Sequence, residues 1–170
     1  MPEAHALPSI PTKILLPIDF SPSSEAALEM AADLAQHFHA ELYLVNVIPF
    51  FPATTFPDFI PEESFLRETR SHAERNLAKC HTALTARGIK TSSSVEVGND
   101  VAGNIVEVVE REHIDMVVIS THGISGWHPL VFGSIAEKVV KIVQCPLLLL
   151  RSAKPDTGEK NPSGRSTKWW

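Results

Sequence analysis

The chain has 170 residues, 15 Lys and Arg against 20 Asp and Glu, and a formal net charge of −5, which is the size of one domain with an acidic balance. That balance argues against a broad nucleic-acid surface, which needs clustered cations. The two cysteines, Cys80 and Cys145, provide neither a disulfide framework nor a CxxC metal site. No apolar stretch approaches the roughly 20 residues of a membrane span and no secretory apolar region follows Met1, so a cytoplasmic protein without membrane contact is expected.

Residues 1–12 read as a short arm. The run ILLPI from Ile14 is apolar on both faces, the pattern of a strand buried between helices. The segment SPSSEAALEMAADLAQHFHA then reads as a helix: Ser21 caps it, Pro22 suits its first position, and Ala27, Ala31, Leu34 and Phe38 form one stripe. His37 and His39 near its end read as solvated or as a complement to the helix dipole. A second strand follows in LYLVNVI from Leu42. Pro49 to Pro61, PFFPATTFPDFIP, holds four Pro and four Phe and suits neither a helix nor a central strand. It reads either as a loop covering the end of the core or as a hydrophobic lid over a ligand.

A second helix is expected over about Pro61 to Arg87, with Phe65, Ala73, Leu77 and Leu84 on one face, Cys80 as a structural thiol on the same stripe, and Gly88 as a left-handed terminator. SVEV from Ser94 is the third strand, and Asp100 to Glu112 forms a helix through Ile105 and Val109. MVVIS from Met116 is the fourth strand. The last helix starts at Gly133 or Ser134, carries Ile135, Val139 and Ile142, and stops before Cys145 and Pro146; LLLL from Leu147 is the fifth strand. Residues 152–170 have the composition of a disordered tail, with Trp169 and Trp170 either incidental or docked on a partner subunit.

The order βαβαβαβαβ predicts an α/β fold: over residues 13–151, a single-domain five-stranded parallel open sheet with helices on both faces and right-handed crossovers. In such a sheet ligands bind beyond the carboxyl ends of the strands, where the strand order reverses. Asp19 follows the first strand there, and the glycine-bearing loop ISTHGISGWHPLVFGS follows the fourth and feeds the amino end of the last helix. Free amides and the helix dipole favour an anion at that end, and glycines let a phosphate approach closely. His122 and His128 flank the loop as isolated histidines. Asp19 can also help to start the first helix, and Ser134 can cap the last one.

These segments resemble the universal stress proteins in their nucleotide-binding branch. The resemblance covers about Lys13 to Arg151 and rests on KILLPIDFSPSSEAAL, VNVI and DMVVISTHGISGWHPLVFGSIAEKVVKIVQCPLLLLR. The branch carries the phosphate motif G-x2-G-x9-G-[ST]; Gly123, Gly133 and Ser134 match it, and Ser120 stands in place of its first glycine. The resemblance implies a Rossmann-like, adenine-nucleotide alpha-hydrolase-like fold. It places Pro17, Ile18 and Asp19 beside the adenine and ribose, Val47 at the base through its backbone, Ile119 and Ser120 at the ribose and first phosphate, and Gly123, Gly133, Ser134 and Ile135 at the phosphates. The implied ligand is ATP, or ADP or AMP, with Mg2+ carried by the phosphates, and the role is a stress-response sensor or signalling module.

The phosphate loop from Ser120 to Gly133 has no Lys or Arg, so any ATP hydrolysis is expected to be slow. The last strand, Leu147 to Arg151, is expected at a sheet edge and, by the resemblance, in a homodimer interface. A nucleotide-free interaction module remains the alternative reading. An adenylyl-transfer or ATP-pyrophosphatase enzyme lacks its HxGH or SGGxDS signature here.

Overall fold

The computed structural model of the chain describes residues 10–50, 63–121 and 133–151. Most of the expected arm, the Phe-rich segment beyond Phe50, Gly123, Gly126, both loop histidines and the tail with Trp169 and Trp170 lie outside the described residues. Five strands, β1 (Lys13–Pro17), β2 (Glu41–Pro49), β3 (Thr91–Gly98), β4 (Met116–Ser120) and β5 (Leu147–Leu150), alternate with α1 (Pro22–Phe38), α2 (Glu63–Ala86), α3 (Val101–Arg111) and α4 (Ser134–Ile142). All strand pairs are parallel, in the order β3-β2-β1-β4-β5. The chain is therefore the expected five-stranded parallel α/β fold, with β1 beside β4 and β5 at one edge.

The two faces of the sheet carry separate cores, as alternation along buried strands requires. Ile14, Leu16, Leu42, Leu44 and Val118 pack with α1 and α2, while Leu15, Tyr43, Val45, Val117 and Ile119 pack with α3 and α4. Strand order explains the division: the chain steps outward from β1 to β3, then crosses back to β4 and continues the other way. With right-handed crossovers, that reversal sends α3 and α4 to the opposite face.

The helix faces differ in part from the sequence expectation. In α1 the innermost residues are Ala27, Ala31, Ala32 and Ala35, with Leu34 and Phe38 flanking them, because alanine lets the helix lie close on the sheet. In α2, Ala73, Leu77 and Leu84 are buried with Cys80 packed beside them, but Phe65 is 59% exposed in the first turn. In α4, Ala136 and Val139 face the core, whereas Ile135 and Ile142 are 42% and 46% exposed. Spacing placed Ala27, Ala31, Ala73, Leu77, Leu84 and Val139 on the buried faces, and failed at Phe65, Ile135 and Ile142.

Three helices end in the same way. His39, Gly88 and His113 take left-handed φ values of 55°, 76° and 54°. The next residue's amide reaches back five positions in each: Ala40 to Ala35, Ile89 to Leu84 and Ile114 to Val109, at 2.9, 3.1 and 2.9 Å. This is the Schellman arrangement, with a buried Ala40, Ile89 or Ile114 closing it against the core. Only the glycine announced itself in the sequence; His39 turns out to be a helix terminator.

Candidate functional site

The reversal of strand order between β1 and β4 leaves a crevice at the carboxyl ends of the strands, on the α3 and α4 side. A cavity of about 290 Å3 occupies it. Pro17, Ile18 and Asp19 line it from the end of β1, and Ile119, Ser120 and Thr121 from the end of β4. Val45, Val47 and Pro49 enter from β2 at every second residue, Val101 and Ile105 from successive turns of α3, and Gly133, Ser134, Ile135 and Ala136 from the start of α4. One wall is thus aliphatic, suited to a flat apolar ring, and the opposite end is the amino terminus of a helix.

The polar groups of the site are held by the turn that leaves β1. The Ile18 amide donates to the Val45 carbonyl at 2.9 Å, and the Asn46 Nδ2 donates to the Ile18 carbonyl at 2.8 Å. Phe20 then turns the chain with φ 60°, a conformation that costs a non-glycine residue about 1 kcal/mol or more. This brings the Ser21 amide and hydroxyl onto one oxygen of Asp19, Oδ1, at 3.0 and 2.6 Å. The Ser21 hydroxyl also accepts from the Ser24 amide at 3.2 Å, as N-cap of α1. Asp19 therefore sits in the cavity wall and also braces the first helix.

At the other end the structure corrects two expectations. Gly133, not Ser134, is the N-cap residue of α4, and no side chain caps the helix; Ser134 is its first helical residue. The Gly133 amide donates to the Thr121 carbonyl at 2.8 Å, which anchors α4 to the end of β4 instead of leaving that donor for an anion. The helical hydrogen bonds start with the Glu137 amide on the Gly133 carbonyl, 3.0 Å, so the amides of Ser134, Ile135 and Ala136 have no intrahelical acceptor. These three donors and the helix dipole make the end of the cavity electropositive without a cationic side chain. Asp19 is the one ionisable residue among the described lining residues.

The crevice brings together nine residues singled out in the sequence: Pro17, Ile18, Asp19, Val47, Ile119, Ser120, Gly133, Ser134 and Ile135. Gly123 lies outside the described residues. Sequence reasoning missed Val45 and Pro49, although period-two alternation from Val47 predicts both. It also missed Thr121, Ser24 and the α3 residues Val101 and Ile105, which only the return of α3 across β2 places in the wall.

Other candidate chemistry is absent among the described residues. No group of three His, Cys, Asp or Glu converges to hold a metal. Burial pushes the thiols of Cys80 and Cys145 above their usual range, which suits structural thiols rather than nucleophiles. No helix among the described residues is long and apolar enough to cross a membrane.

The profile of the Universal stress protein family matches residues 11–151, most of the chain. The chain belongs to the universal stress protein family. It is 29% identical over 144 residues to universal stress protein MJ0531 of Methanocaldococcus jannaschii, a match that spans 85% of this chain and 84% of that protein. It is 31% identical over 138 residues to universal stress protein A homolog 1 of Coxiella burnetii, spanning 79% and 92%. Among solved structures, hypothetical protein MJ0577 superposes with a TM-score of 0.73 at 25% identity, over 85% of this chain and 98% of that one. Universal stress proteins solved in complex with cAMP, and from Archaeoglobus fulgidus with dAMP, share the fold with TM-scores of 0.56 and 0.60 at 21% and 19% identity. The cAMP complex aligns over 84% of this chain and 98% of its own, and the dAMP complex over 81% and 96%.

Proposed function

We propose that the cavity at the β1–β4 switch point binds an adenine nucleotide, ATP foremost and ADP or AMP in its place, which puts the chain in the nucleotide-binding branch of its family. The observation that carries the reading is the pairing of an aliphatic wall with a helix amino end whose first three amides have no intrahelical acceptor, in one crevice. Pro17, Ile18 and Val47 border the base, and Asp19 accepts a hydrogen bond at the base and ribose end. Ile119 and Ser120 border the ribose and first phosphate; Ser134 and Ile135 donate to the phosphates, with Gly123 and Gly133 leaving room for them. The adenine-nucleotide complexes of related folds support this choice of ligand.

Asp19 is the single acidic residue in the described lining, too few ligands for a protein-built cation site, so Mg2+ would enter on the phosphates and supply the positive charge that the wall lacks. With no Lys or Arg to stabilise a transferring phosphoryl group, turnover stays below about 1 per second, the lower end of ordinary enzymes. Residues 13–151 act as one cytoplasmic nucleotide-responsive signalling module. It is a homodimer through the exposed edge of β5, whose four leucines are each only partly buried.

The test is to denature freshly purified protein, identify any released nucleotide by chromatography and mass, and titrate the emptied protein with ATP, ADP and AMP by calorimetry. Near-stoichiometric adenine nucleotide, or ATP binding abolished by Gly123→Val, is the expected result. No nucleotide and no heat at millimolar ATP would instead favour a nucleotide-free interaction module, a reading to which Ser120 and the committed Gly133 amide lend weight.

A further inference from the structure

Buried polar side chains cost stability unless they are hydrogen-bonded, so their placement marks where a fold spends specificity. Among the described residues, the polar side chains classed with the core are Ser21, Ser24, Asn46 and Thr121, and all four gather at the carboxyl ends of the strands. Ser24 and Thr121 line the cavity and Ser21 binds Asp19, but Asn46 does neither. Asn46 is 8% exposed in β2 between Leu44 and Ile48, in the row that packs toward α1 and α2. Its neighbours Val45 and Val47 take the other face, where the cavity lies. Asn46 therefore reaches the site only through what it bonds.

That partner is the Ile18 carbonyl, accepting at 2.8 Å from Nδ2. A carbonyl acceptor admits only the amide nitrogen opposite it, which fixes the orientation of the Asn46 side chain. The Ile18 amide is already tied to Val45, so both polar ends of this residue are fastened to β2. The next residue is Asp19, followed by the left-handed Phe20 and by Ser21, which binds Asp19 Oδ1 twice. From these contacts we infer that Asn46 is a positioning residue for the nucleotide: through the Ile18 carbonyl it sets the β1–α1 turn and thereby the Asp19 carboxylate in the cavity wall. The inference rests on the nucleotide reading for its functional consequence and on the hydrogen bonds alone for its structural one.

Asn46→Leu keeps a side chain of similar shape and removes the donor, while Asn46→His retains a ring N–H, Nδ1, at the same number of bonds from the backbone. Two measurements decide. The first needs no ligand: amide hydrogen exchange by NMR at Ser21 and Ser24. Asn46→Leu loses protection at both amides while Val117 and Val118 in β4 keep theirs, and Asn46→His restores it; wild-type protection at Ser21 in Asn46→Leu overturns the inference. The second is a double-mutant cycle read by ATP titration, in which Asn46→Leu weakens binding by about tenfold, or about 1.4 kcal/mol. In the Asp19→Ala background the same substitution changes affinity by less than twofold. An equal tenfold loss in that background means that Asn46 shapes the pocket independently of Asp19, and overturns the proposal. If wild-type protein takes up no adenine nucleotide, the functional reading fails while hydrogen exchange still decides the positioning role. If Asn46→Leu fails to fold, Asn46→His carries the test alone: lost Ser21 protection or lost ATP binding in a folded His variant refutes it.

Discussion

Replacing Ser134 by Asp separates two effects that a general loss of structure would merge. Ser134 is the first helical residue of α4, is exposed, and makes no capping hydrogen bond, so a carboxylate fits there without disturbing the core. Negative charge in a first turn stabilises a helix by about 0.5 kcal/mol, which for a domain of this size raises Tm by about 1–2 °C. The same charge faces any phosphate bound to the amides of Ser134, Ile135 and Ala136. At about 5 Å and an effective dielectric of about 20 to 80, one pair of like charges repels by about 0.8 to 3 kcal/mol. Because about 1.4 kcal/mol is a factor of ten in affinity, Ser134→Asp weakens ATP binding by about fourfold to about a hundredfold. Adenosine, which has no phosphate, keeps its affinity, and raising the salt concentration narrows the ATP difference. Titration calorimetry with ATP, ADP and adenosine at two ionic strengths, beside thermal melts, reads all of this. ATP binding unchanged within twofold, or adenosine weakened as much as ATP, would refute the placement of phosphates at this helix.

Ser21→Ala removes the cap of α1 and one of the two donors on Asp19; chemical denaturation shows a loss of about 1 kcal/mol, and an unchanged midpoint contradicts the capping role. The alanine face of α1 makes Ala31→Leu cost about 1–3 kcal/mol through overpacking, whereas Phe65→Ala, at an exposed position, changes stability by less than about 0.5 kcal/mol. Acid stability follows the carboxylates. The Lys13 ammonium, helped by Arg111, holds Glu112 below its ordinary value of 4.5, while at Glu96 burial pushes upward but Arg111 and Ser94 prevail and lower it. Groups depressed on folding contribute stability that is present above the unfolded value and lost as pH falls through the folded one. Urea midpoints therefore drop below about pH 4.5, and Glu112→Gln flattens the decline; identical pH profiles for the two proteins would exclude this ion pair as a cause. Sedimentation at micromolar concentration yields twice the 18.7 kDa chain mass, and a monomer mass rules out the β5 homodimer.

Local chemistry made the elements legible in the sequence. Short apolar runs rich in Val, Ile and Leu fit strands covered on both sides, and Ser21-Pro22 and Gly88 mark helix ends because capping and left-handed backbone are properties of single residues. The acid after β1 and the Gly133-Ser134 pair pointed to the crevice that they line, since a parallel sheet opens where its order reverses. What escaped depends on partners distant in the chain. How closely α1 and α4 lie on the sheet decides the rest of their buried faces, so Ala32, Ala35 and Ala136 are buried and Ile135 and Ile142 are left at the surface. The Gly133 amide reads as a free donor until the end of β4 presents the Thr121 carbonyl at 2.8 Å. Asn46 reads as one polar residue in an apolar strand until β2 lies beside β1 and sets its amide against the Ile18 carbonyl. The sequence determined which residues carry chemistry, because that resides in their atoms. The tertiary structure decided which of their donors and acceptors are already committed, because hydrogen-bond partners come from whatever the fold brings within 3 Å.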